Sequence, residues 1–129
     1  MPLGGPAAAI ALGFGFSCAL LVDGTVKCWG PGYGGNLGQP LLTGSDLTNA
    51  LGDEPGELGE QLPPIDLGPN ARVLQIAAGA DFVCALLDTR DVKCWGRNND
   101  GQLGVQTDDE AVGDEPEEMG AALKSIDFQ

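Results

Sequence analysis

The feature that most limits what this chain can fold into is that it repeats itself. Residues 82–104 restate residues 16–38 at a constant offset of 66 positions, so that Cys18 and Cys84, Cys28 and Cys94, Trp29 and Trp95, Gly30 and Gly96, Gly35 and Gly101, Leu37 and Leu103, and Gly38 and Gly104 are matched pairs. The match resumes at an offset of 61: Gly52-Asp53-Glu54-Pro55 recurs as Gly113-Asp114-Glu115-Pro116, and Ile65-Asp66-Leu67 as Ile126-Asp127-Phe128. Five extra residues in one place between matching segments mark that place as a surface loop, where added length costs little. The reading is therefore a lead-in over residues 1–6, one unit over 7–67 and a second over 68–128, each with a rigid part and a variable one.

Stacked repeats bury their apolar faces against their neighbours, so about three or more units are expected for stability, and two alone leave both ends open. A sequence that is 43% hydrophobic can supply a core. The expectation is that the chain assembles or forms part of a longer array.

Within each unit the pattern is that of strands. Residues 7–11 align with 73–77, and each run ends at a glycine, Gly13 or Gly79. Residues 16–21 and 82–87 are short apolar runs that suit strands buried on both faces. Residues 26–29 and 92–95 alternate, placing Val and Cys on one face and Lys and Trp on the other. Residues 64–67 and 125–128 read as a fourth strand. In the first hairpin Asp23-Gly24 marks the turn, and a three-residue loop over 22–24 sets Cys18 opposite Cys28. The second hairpin has Thr89-Arg90-Asp91 there and is expected to turn less regularly. The glycines around Leu37 and Leu103 point to positive φ or to close backbone approach, with each leucine as a core anchor.

The spacing of the four cysteines favours disulfides Cys18–Cys28 and Cys84–Cys94 over zinc, which prefers tighter pairs; four buried thiols are the alternative. Disulfides place the native protein outside the cytosol, secreted or extracytoplasmic, although the apolar opening lacks the basic region of a signal peptide. Its prolines and glycines also argue against a membrane helix there.

Nineteen acidic residues against six basic ones give a net charge of −13, which makes nucleic acid and anionic membranes poor partners. The acids gather in the loops: Asp53, Glu54, Glu57 and Glu60 in the first, and Asp100, Asp108, Asp109, Glu110, Asp114, Glu115, Glu117 and Glu118 in the second. They read as a solvated surface, or as a contact for a basic protein whose association they would speed. Neither loop has the ligand spacing of a calcium site, so no cofactor is expected and calcium stays a minor alternative. The sequence contains no histidine, and no Ser or Cys has a base placed beside it, so an enzyme is not expected.

Cys-Ala-Leu-Leu, Val-Lys-Cys-Trp-Gly and Asn-Asn-Asp-Gly-Gln-Leu-Gly together resemble the repeat of the regulator-of-chromosome-condensation family, in particular its bacterial members with paired cysteines. The resemblance covers residues 7–128. It implies an all-β fold of four-stranded β-propeller blades, six or seven in a full ring, acting as a rigid disc that offers loops to protein partners. On that reading Trp29 and Trp95 pack between blades. Two blades are present, so the chain is expected to close a six-bladed ring as a homotrimer, with Ile126, Asp127 and Phe128 of one copy completing the first blade of the next. The rival expectation is a two-blade piece of a longer propeller. Nucleotide exchange on a small GTPase and β-lactamase inhibition occur on this fold, but no motif here matches the loops that perform them.

Overall fold

Two four-stranded antiparallel meanders follow one another along the chain. In the computed structural model, residues 4–31, 36–38, 50–51, 62, 64–105, 107, 109–113 and 118–126 are described. The first sheet runs β1 (Ala7–Leu12), β2 (Ser17–Leu21), β3 (Val26–Pro31), β4 (Ala50–Leu51), and the second β5 (Val73–Ala78), β6 (Phe82–Leu87), β7 (Val92–Arg97), β8 (Ala111–Val112), each in sequence order. Both carry an irregularity at the same place, between Ala7 and Ala9 and between Val73 and Gln75. Among the described residues, a 3-10 turn, Gly120–Ala122, lies near the end.

The central hairpins form for local reasons. Leu21 donates to Thr25 and Gly24 back to Leu21, closing a tight turn that Asp23 reinforces by accepting from both the amide and the hydroxyl of Thr25. The second turn is as regular as the first, contrary to expectation: Leu87 donates to Asp91 and Arg90 to Leu87 at the same distances. Arg90 takes the positive φ, 75°, that Gly24 takes at 88°. Glycine is obligatory only in the first hairpin, because a Cβ on Gly24 would lie 2.4 Å from Cγ of Arg72. Each hairpin ends at a glycine that nothing else can replace. Gly30 and Gly96 have φ of 113° and 116°, and a Cβ on Gly96 would come within 2.4 Å of the Asp81 carbonyl oxygen.

The fourth strand is not where the sequence pattern suggested. It comes from the long loops, where Ala50–Leu51 pairs with Gly30–Pro31 and Ala111–Val112 with Gly96–Arg97. Residues 64–67 run beside the other half of β3, held by Ile65 donating to Val26; Ile126 donates likewise to Val92, next to an isolated bridge between Lys93 and Ser125. Glycine and the residue after it pair with the two-residue strand, which leaves only the start of β3 and β7 for this segment. Ile126 is thereby hydrogen-bonded within its own blade. Asp127 and Phe128 lie outside the described residues.

One core joins the two sheets. It holds Phe16, Cys18, Leu20, Val26 and Cys28 from the first, Ile65 and Leu67 from the connector, and Val73, Ile76, Val83, Ala85, Leu87 and Trp95 from the second. The sheets pack face to face, with β1 and β5 adjacent.

Candidate functional site

Strand alternation decides which side chains meet. On β6 and β7 the register pairs Val83 with Trp95 and Ala85 with Lys93, while Cys84 faces Cys94 and Leu86 faces Val92. The first set points at the preceding sheet and the second away from it. Trp95 is fully buried and its indole Nε1 donates to the Asn36 carbonyl of the first unit at 3.2 Å. Lys93 donates from Nζ to the Leu67 carbonyl at 2.9 Å and to that of Gly120 at 3.3 Å. The Gly120 amide donates to the Asp66 carbonyl, Phe14 to Ala80 and Val73 to Gly24, so backbone bonds also tie the two units along both rims. Trp29, which holds the same repeat position as Trp95, is half-buried.

The signature residues between hairpin and loop are core and turn residues. Leu37 and Leu103 are buried, and Gly38 and Gly104 take positive φ. Asn98 organises the turn that follows β7. Its amide nitrogen donates to the Asp109 carbonyl, its Oδ1 accepts from the Leu103 amide, and its own amide donates to Glu110. Asn98 is buried, as is Asn36 in the first unit, and no sequence pattern indicates either.

Both disulfides form, Cys18–Cys28 and Cys84–Cys94, each between directly opposed residues of a hairpin. Cys18 and Cys28 have no exposure, sealed between the sheets, whereas Cys84 is half-buried on the far face of the second.

Of the acidic residues expected to form a contact surface, Asp109 and Glu110 are exposed and use their carbonyls to hold Asn98. Asp109 also accepts from Thr107, and Glu118 accepts from the Gly113 amide. Asp53, Glu54, Asp108, Asp114 and Glu115 lie outside the described residues. Among the described residues no group of three or more His, Cys, Asp or Glu is placed to hold a metal ion, and no helix is long and apolar enough to cross a membrane. The Thr25 hydroxyl, then its amide, hold the Asp23 carboxylate below its ordinary value.

The two sheets follow the geometry of propeller blades, and the family comparison identifies them: the model of the regulator of chromosome condensation (RCC1) repeat matches residues 7–39 and 73–102. These are RCC1-type repeats. Solved propellers resemble them in fold. Human WBSCR16 aligns over 99% of this chain and 27% of its own, at 23% identity and a TM-score of 0.64. Yeast RCC1 (Prp20), in a structure with Kap60 bound, aligns over 80% of this chain and 20% of its own, at 24% identity and a TM-score of 0.55. A further structure of Prp20p from Saccharomyces cerevisiae, a protein with binding properties to Gsp1p and histones, gives 27% identity, 84% and 24% coverage and a TM-score of 0.51. The chain thus spans about a quarter of the length of those RCC1-type structures. No match was found among curated protein sequences.

Two RCC1-type blades leave two outer faces, and these differ. On the second blade Phe82, Cys84, Leu86, Val92 and Ile126 are half-buried, although their counterparts Phe16, Cys18, Leu20, Val26 and Ile65 are buried against it. On the first blade Ala19, Leu21 and Lys27 of the outer face are already buried, while on β1 Ile10 is 66% and Leu12 65% exposed. The counterpart of Ile10 is Ile76, which is 8% exposed in the contact between blades.

Proposed function

We propose that this RCC1-type chain is a non-catalytic β-propeller scaffold that binds proteins and completes its ring with copies of itself, three chains making six blades. The observation that carries the reading is the pair Ile10 and Ile76: one apolar side chain, repeated, is buried where a neighbouring blade exists and left in water where none does. Exposed apolar strips of that kind mark interaction sites. Head-to-tail contacts close into rings when the rotation between units fits. The binding described for Prp20 supports protein partners in general. The net charge of −13 favours a basic partner approaching the loops, and the two disulfides suit an extracytoplasmic setting.

Light scattering on a size-exclusion column under non-reducing conditions tests the assembly: a single species at three times the chain mass is the expected result, and a monomer at every concentration overturns it. The second reading, two blades of a longer propeller, is favoured by the quarter of the neighbours' length that the chain spans. It predicts that monomer. A calcium-stabilised structural role, a lesser alternative, fails if calcium leaves the melting temperature unchanged.

A further inference from the structure

We infer that the contact between copies is a head-to-tail docking of β1 on the far face of β5 and β6, reproducing the contact between the two blades of one chain, and is not an exchange of the C-terminal strand. This inference rests on the self-assembly reading above and adds the surface and its polarity. Three observations carry it. The C-terminal segment is spoken for as far as Ile126, whose amide donates to Val92 of its own blade, as Ile65 does to Val26. The internal contact runs through the innermost strands, where Ala11 of β1 and Cys18 of β2 form one side and Ile76 and Ala78 of β5 form the other. Each of those residues has a counterpart on an outer face of the same chain.

The counterparts of Ile76 and Ala78 are Ile10 and Leu12, about two-thirds exposed on β1. Those of Ala11 and Cys18 are Ala77, exposed, and Cys84, half-buried; the register sets Ala77 beside Cys84 just as it sets Ala11 beside Cys18. One copy's β1 therefore meets, on another copy's β5 and β6, the same sequence of small and sulfur-bearing side chains that its own β1 and β2 offer to β5. Over β2 and β3 the outer face of the first blade is already buried at Ala19, Leu21 and Lys27. The strip left for a neighbour is β1, the strand that the internal contact also uses. The occupant is a second copy because the two outer faces are the two halves of an interface that the chain already makes. Such a contact is heterologous: each copy uses a different surface from the one it meets.

Polarity of this kind has a distinctive test. The double variant Ile10→Lys/Leu12→Lys and the variant Ala77→Arg each place charge at exposed positions, so both retain the fold, which circular dichroism checks. Each alone is expected to lose self-association, raising the dissociation midpoint of wild-type protein at least tenfold in sedimentation velocity. Mixed one to one, they restore a single intact contact and yield a two-chain species that grows no further, because each partner keeps only its good face. Wild-type protein that assembles while both variants assemble equally well overturns this contact and leaves self-assembly standing. A mixture that stays monomeric overturns the polarity. Wild-type protein that is monomeric at every concentration overturns both this contact and the proposal it rests on.

Discussion

Ile10 and Ile76 occupy one position in two copies of one repeat, and Cys18 and Cys84 another, yet in each pair one member is sealed and the other is not. The backbone around them is the same: equal strand order, a shared bulge, the same hairpin turn and the same register of the cysteines. What differs is whether a blade lies alongside. Burial in a stacked fold is thus a property of the neighbour as much as of the residue, and a repeat reveals its core positions only as far as the next repeat covers them.

The largest test of the comparison is at the tryptophans. Trp95→Ala removes a fully buried indole and leaves the Asn36 carbonyl without its donor, and is expected to cost about 3–5 kcal/mol. Trp29→Ala, at a half-buried position, should cost clearly less; equal losses by chemical denaturation would show that the two blades are alike in packing after all. Next, in the unassembled single chain, Ile76→Ala should cost about 2–4 kcal/mol and Ile10→Ala less than about 0.5. Third, reduction should proceed in order. In the dissociated chain, where no other copy covers β6, a dithiol reaches Cys84 first, so peptide mapping of trapped thiols should show Cys84–Cys94 opened well before Cys18–Cys28, with simultaneous opening as the contrary result. Removing either disulfide by paired Cys→Ala exchange should cost about 2–3 kcal/mol in the chain-entropy estimate.

Smaller effects separate the turns. Arg90→Gly relieves positive φ in the second hairpin, offset by the entropy of glycine in the unfolded chain, and should change stability by no more than about 1 kcal/mol. Gly24→Ala in the first is strained and meets Arg72, so it should be clearly destabilising. Smallest is the pH response of Asp23. Its folded-state value lies below the ordinary 3.8, so the stability it contributes is present above 3.8 and fades as pH falls through the lowered value. Asp23→Asn should flatten that acid limb slightly; an unchanged acid limb would show that Thr25 gives the carboxylate no folded-state preference.

Much of the blade was legible because the repeat showed which residues move together. The hairpins and the cysteine register follow from spacing alone, whereas the regular second turn, with Arg90 at positive φ, does not. The fourth strand was misplaced because two-residue strands carry no periodicity. A signal was nevertheless there: the offset of 61 extends back to Ala50 and Ala111, the first residues of β4 and β8, immediately before each Gly-Asp-Glu-Pro. The buried polar residues were hidden for a different reason. Lys93 and Asn36 look like ordinary surface residues until it is known that Lys93 donates to the Leu67 carbonyl and that the Asn36 carbonyl accepts from Trp95, both across the blade boundary. Sequence pattern reports which side of a strand is apolar, but a hydrogen bond between blades depends on how two such surfaces are set against each other. For the same reason the difference between the outer faces could not be read from matched residues.

Each disulfide closes a loop within one hairpin, with a sequence separation of 10, and neither bridges the blades. Under a pulling force applied at the chain ends, the blades can part without breaking a covalent bond, but the residues inside the two hairpins cannot be drawn out. Nine residues locked in each loop shorten the extended chain by about 60 Å in total. Stretched in an oxidising medium, the protein would yield between its blades and then stop short, with its hairpin tips still folded back on themselves.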